Sequence, residues 1–102
     1  VRALGVSNFG LRELQDLLQA AEVKPVYLQN KLSVYAIGEQ RVSAGASVLA
    51  FAKEHAIQAF AYSVNNPWPS ILRPMEDPHV LAIAGRYKRT AAQVLLRWAL
   101  QL

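Results

Sequence analysis

Apolar positions change their spacing along this chain in a repeating way, from short runs to one-sided helical spacing and back. Val1, Ala3, Leu4 and Val6 form a short, mostly apolar run that stops at Ser7-Asn8-Phe9-Gly10, which predicts a buried strand handing over to a helix. Leu11, Leu14, Leu17 and Leu18 then fall on one helical face, and the pattern predicts a helix over 11–21. Pro25 stops it, because the residue before a proline is pushed out of the helical region. PVYLQ, residues 25–29, reads as a second short strand with blurred alternation, the pattern of a strand covered on both faces. Asn30 to Gly38 reads as loop, with Tyr35 and Ile37 as its apolar points. Val42 to His55 is helical in pattern, beginning near Ser43 or Ala44, with Val48, Leu49, Phe51 and Ala52 on its apolar face. Ile57 to Ser63 reads as a third strand. A breaker-rich loop follows, running past Pro67, Trp68 and Pro69 to Pro74. Asp77-Pro78 has the form of a helix start, and the pattern carries that helix to Lys88-Arg89. Thr90 and Gln93 form a capping box for a last helix, whose apolar face is Val94, Leu95, Trp98 and Leu102.

Strands alternating with helices imply right-handed crossovers and a parallel sheet. Ligands in such folds gather at the carboxyl ends of the strands. Ser7 and Asn8 stand at the first such end, Gln29 at the second, and Tyr62 and Ser63 at the third. Each has an ordinary alternative: Ser7 and Asn8 as caps for the next helix, Gln29 as a solvated loop residue. His55 reads as a helix-end residue, because no base, nucleophile or metal partner is near it in the pattern. Trp68 reads either as an apolar lid or as a side chain folded back on the core.

Composition narrows the class. Of the 102 residues, 53% are hydrophobic, which argues for a packed core over disorder. No apolar run approaches the ~20 residues that span a bilayer, and no secretory pattern is present. With no cysteine there is neither a disulfide framework nor a thiolate metal site, which fits a cytoplasmic protein. The net charge is +4, but the basic residues are scattered except at Arg86-Tyr87-Lys88-Arg89. A four-residue patch with three basic residues at a helix end favours the helix dipole rather than a nucleic-acid footprint. The chain begins inside a strand pattern and ends inside a helix pattern. The expectation is an incomplete domain over 1–102, truncated at both ends.

GVSNF at 5–9, KPVYLQ at 24–29, AYS at 61–63 and EDPHVLAIAGRYKRTAAQVLLRWALQ at 76–101, in that order, resemble the aldo-keto reductases. The resemblance spans essentially the whole chain, and GVSNF and the paired-helix stretch are its specific parts. It implies an α/β fold, a partial (β/α)8 TIM barrel of about three parallel strands with intervening helices. It also implies reversible hydride transfer between NADPH, or NADH, and a small-molecule carbonyl or alcohol. By the same resemblance Ser7, Asn8 and Gln29 hydrogen-bond the nicotinamide carboxamide, Tyr62 stacks on the nicotinamide ring and Ser63 contacts the pyrophosphate. The chemistry of those groups agrees: a primary amide needs both donors and acceptors, and a flat ring needs a flat partner.

The departures are equally specific. The family's catalytic Tyr, Asp, Lys and His lie on its first four strands, so no catalytic residue is assigned here. Its adenosine-phosphate motif follows its last strand, so NADP is not separated from NAD. Lys31, Ser33, Val34 and Tyr35 stand where the family often has an acidic residue and His-Pro-Tyr, and Val64-Asn65 stand for its Pro-Leu. A reductase segment is the leading reading. A non-catalytic dinucleotide-binding barrel relative is the alternative.

Overall fold

The structure, a computed structural model, describes residues 1–37, 42–67 and 71–102. Its elements are β1 (Gly5–Ser7), α1 (Leu11–Ala20), β2 (Tyr27–Ser33), β3 (Ala36–Ile37), α2 (Val42–Glu54), β4 (Gln58–Tyr62), a 3-10 turn (Pro74–Glu76), α3 (Pro78–Tyr87) and α4 (Ala91–Leu100). The fold is α/β, with three parallel strands and β2 in the middle. Along one side β2 pairs Tyr27, Leu28 and Gln29 with Gly5, Val6 and Ser7. Along the other it pairs with β4, from Tyr27 opposite Gln58 to Lys31 opposite Tyr62.

The two faces of this sheet differ. Leu28 is fully buried and packs with Leu14 of α1 and with Val48, Ala52 and Ile57 in and after α2. Val6, Phe9, Leu11, Leu18 and Phe51 close around that cluster. The opposite face is open: Tyr27 and Phe60 are 44% and 49% exposed there, with ring centroids 5.4 Å apart. The expectation of a strand covered on both faces is therefore corrected. Burial along β2 alternates cleanly from Tyr27 to Asn30, because helices cover one face only.

The second strand is also longer than expected. Asn30 to Ser33 extend β2, where Lys31 pairs with β4 and Leu32 and Ser33 pair antiparallel with β3. Polar residues are tolerated inside the strand because they are bonded. Buried Asn30 donates from Nδ2 to the Phe9 carbonyl at 2.8 Å, and buried Ser33 accepts from the Tyr35 amide at 3.3 Å. The first strand is shorter than its apolar run, although Leu4 still accepts a hydrogen bond from the Val26 amide. The loop before α3 contains the 3-10 turn, with Pro74 buried at its start. Trp68 lies outside the described residues.

Helix boundaries follow local chemistry. α1 begins at Gly10, whose amide is met by the Glu13 carboxylate, so neither Ser7 nor Asn8 caps it. α2 starts at Val42 and ends with Ala56 in the left-handed conformation, φ 56°. There Ile57 donates to Ala52 and Ala56 to Lys53, the paired bonds of a Schellman ending. His55 Nδ1 lies 2.9 Å from the Phe51 carbonyl, so this histidine ties off the helix end. α3 is capped by Asp77, which accepts from the His79 amide at 2.8 Å. It closes with Lys88 at φ 50°, and Arg89 donates to Ala84. α4 has both bonds of its capping box, Thr90 N–H to Gln93 Oε1 at 2.9 Å and Gln93 N–H to Thr90 Oγ1 at 3.2 Å. Val80, Ala84, Leu95 and Pro74 are the buried residues of this second layer.

Candidate functional site

The parallel register decides which side chains share the open face. Residues two apart on one strand point the same way, and paired residues on neighbouring strands point together. Ser7, Gln29 and Phe60 form one row on that face, and Lys31 and Tyr62 the next towards the carboxyl ends. Four of the five expected site residues are thereby brought together. Tyr62 donates its phenol proton to Asn8 Oδ1 at 2.6 Å. The Asn8 amide donates to the Gln29 carbonyl at 3.0 Å, and Ser7 Oγ donates to that same carbonyl at 2.9 Å. The Gln29 side chain is exposed and has no hydrogen-bond partner among the described residues. Gln29 sits within β2 rather than at its end, yet level with Ser7, the last residue of β1.

Ser63 stands apart. It follows Tyr62 directly and makes no hydrogen bond to the other four. Both Ser63 and Asn8 hold φ at 59°, in the left-handed region. For residues other than glycine this costs on the order of 1 kcal/mol each, and such strain clusters at ligand sites. Asparagine tolerates it best, and here it turns the Asn8 side chain towards Tyr62.

Two contributors escaped the sequence reading. Asn30 anchors the Phe9 carbonyl and so holds the segment that carries Asn8. Its signal was the buried i, i+2, i+4 series Leu28, Asn30, Leu32. Tyr35 donates to Asp77 Oδ2 at 2.8 Å, tying the β2–β3 turn to the start of α3. That bond, first, holds the Asp77 carboxyl below its ordinary range, helped by the His79 amide. It also pushes the Tyr35 phenol up, with burial adding to the effect. Nothing in local spacing links positions 42 residues apart.

Together these residues present one hydroxyl, two primary amides and an aromatic ring on or beside three neighbouring strands. Among the described residues no cluster of three His, Cys, Asp or Glu side chains could hold a metal ion, and no helix is long and apolar enough to cross a membrane.

Comparison with known proteins identifies the family. The Aldo/keto reductase family profile matches residues 1–66. The chain is 36% identical over 107 residues to human aldo-keto reductase family 1 member A1, covering 99% of this chain and 31% of that protein. It is 37% identical over 111 residues to an NAD(P)H-dependent pentose reductase of Pyricularia oryzae, covering 99% of this chain and 32% of that one. An aldo-keto reductase structure from the silkworm Bombyx mori superposes with a TM-score of 0.76 at 27% identity, over 98% of this chain and 30% of that one. A structure of such a reductase complexed with NADPH gives 0.76 at 25%, over 98% and 31%. The chain belongs to the aldo/keto reductase family, and its three parallel strands correspond to part of the family's (β/α)8 barrel. It spans about a third of the length of these relatives.

Proposed function

We propose that residues 1–102 are an incomplete oxidoreductase domain, a segment from the C-terminal half of an NAD(P)H-dependent aldo-keto reductase barrel. In this reading the segment contributes the nicotinamide cradle and no member of the catalytic tetrad. Ser7, Asn8 and Gln29 bind the carboxamide, Tyr62 lies against the nicotinamide ring and Ser63 contacts the pyrophosphate. The observation that carries the reading is the convergence of Ser7, Asn8, Gln29 and Tyr62, joined through the Tyr62–Asn8 and Ser7–Gln29 hydrogen bonds on the open face. The partner in the reaction is a small-molecule carbonyl or alcohol.

A bound nicotinamide dinucleotide supplies the hydride. The residues of this chain do the orienting. Fixing the carboxamide and one ring face decides which face delivers hydride and keeps the reacting atoms close. NADPH is the leading cofactor, by likeness to relatives bound to it, and NADH remains an alternative by likeness to the pentose reductase. The proton donor lies outside these residues, so the isolated chain reduces no carbonyl.

The test is binding and turnover in the full-length protein. Gln29→Ala and Tyr62→Leu are expected to weaken NADPH binding roughly tenfold each, with the adenine half of the cofactor bound as before. Unchanged NADPH affinity in both variants overturns the cradle. Aldehyde reduction by the isolated chain overturns the assignment of catalysis to other residues.

A further inference from the structure

The strands carry almost no charge. β1, β3 and β4 have no ionic side chain, and β2 has one, Lys31. Among the described residues every other lysine and arginine is exposed, and Lys31 alone is partly buried. A lysine on a strand commonly guards a free edge against pairing with another chain. Lys31 guards none, because β2 is the middle strand of the parallel sheet. Burial alternates along β2, so Lys31 lies on the open face with Tyr27 and Gln29. It stands two residues, about 6.8 Å, beyond Gln29 towards the carboxyl end. Its register partner is Tyr62, one strand spacing or about 4.8 Å away. Lys31 therefore shares a row with the ring that the cradle reading sets against the nicotinamide.

A cation in that row acts on the two forms of the cofactor differently. Reduced nicotinamide is a neutral ring, and the oxidised ring carries one positive charge. The pyrophosphate, riboses and adenine are the same in both. A fixed ammonium beside the ring thus repels the oxidised form and leaves the reduced form alone. Partial burial strengthens this, because a Coulomb interaction grows as the effective dielectric falls and is screened less by salt.

We infer that Lys31 is a specificity-determining residue that sets the preference of this site between oxidation states, its ammonium disfavouring the oxidised, cationic nicotinamide. The inference rests on the cradle reading and adds to it a charge effect that no cradle residue supplies. Ser7, Asn8, Gln29 and Tyr62 are uncharged and meet groups common to both forms. Lys31 instead loosens the hold on the oxidised product and raises the potential of the bound couple. An acidic residue at this position, frequent in the family, acts with the opposite sign.

The experiment measures two dissociation constants in the full-length protein, for NADP and for NADPH, by calorimetry. The readout is the ratio of the first to the second, in which every contact common to the two forms cancels. Lys31→Met is expected to lower that ratio roughly tenfold by tightening NADP. For a two-electron couple this lowers the potential of the bound cofactor by about 30 mV. Lys31→Gln, which keeps a polar side chain on the strand, should lower the ratio by a similar factor. Lys31→Glu should lower it further, and Lys31→Arg should keep the wild-type value. A wild-type ratio in Lys31→Met or Lys31→Gln overturns the inference. So does equal weakening of NADP and NADPH, which would put the ammonium on the pyrophosphate. Gln29→Ala and Tyr62→Leu separate this inference from the cradle. If they weaken NADPH binding while the Lys31 variants keep the ratio, the cradle stands and the inference alone falls. If they bind NADPH as the wild type does, the cradle falls and takes the inference with it.

Discussion

Gly5 shows how one residue places the open face. A Cβ built there would lie 3.0 Å from Tyr27 Cβ and 3.3 Å from the Tyr27 carbonyl oxygen. Neither atom is the loose end of a flexible side chain, so β1 and β2 would have to separate. Gly5→Ala is expected to destabilise the protein by about 1–3 kcal/mol, the usual range for overpacking, as read by chemical denaturation. Because Ser7 lies two residues further along the same strand, the variant also loosens the Ser7–Gln29 bond. The Tyr35–Asp77 pair is a second residue-scale device. The Asp77 carboxyl is lowered, so its contribution to stability is full above its unfolded pKa and is lost as pH falls through the folded value. The Tyr35 phenol is raised, so its contribution is full below its unfolded pKa and is lost as pH rises through the folded value. The stabilising window thus runs between about pH 4 and pH 10. Tyr35→Phe should narrow the difference between the melting temperatures at pH 7 and pH 3. An unchanged difference would show that the bond carries no pH dependence.

At the scale of elements, the helix ends can be tested without touching the site. Thr90 and Gln93 satisfy two otherwise unpaired amides at the start of α4. Thr90→Ala should cost about 1 kcal/mol in urea titrations, with cofactor binding unchanged. Ala56 presents the opposite opportunity. It closes α2 in the left-handed region at φ 56°, where an L-residue with a Cβ is strained. Ala56→Gly relieves that strain and is expected to stabilise by roughly 0.5–1 kcal/mol after glycine's own entropy cost. A lower melting temperature for this variant would contradict the Schellman reading of that end. These ends were legible in the sequence where the signal was local. Asp77-Pro78 and Thr90-Gln93 stand out as caps because their partners lie two or three residues away. β2 was not legible beyond Gln29, since Asn30, Lys31 and Ser33 look like loop residues until the Phe9 carbonyl, β4 and β3 supply their partners.

For the molecule as a whole, the proportions are those of an extended chain with much surface left open. The radius of gyration is 15.1 Å, against about 13 Å for a compact chain of this length. The accessible surface is 7496 Å², against roughly 5,700 Å² for a compact protein of this mass. Part of the excess lies on the sheet face that carries Tyr27 and Phe60. Among the described residues β1 and β4 each pair on one side only, with β2. An open parallel edge beside an exposed aromatic pair invites association with another chain. The isolated chain is therefore expected to self-associate at micromolar concentration in light scattering. A monomer with a sharp, reversible unfolding transition would contradict this.

The sequence by itself determined the order of the three parallel strands and the four helices, the starts of α3 and α4, the α/β class and the candidate strand-end residues. All of these rest on periodicity, on partners within a few positions or on a family resemblance carried by short motifs. Only the tertiary structure decided that Gln29 lies level with Ser7, that the sheet is covered on one face and that Tyr62 reaches over β2 to Asn8. Those facts join residues 22 and 54 positions apart. Strand register and a side chain's direction across a sheet are set by the packing of distant segments, which no local pattern records.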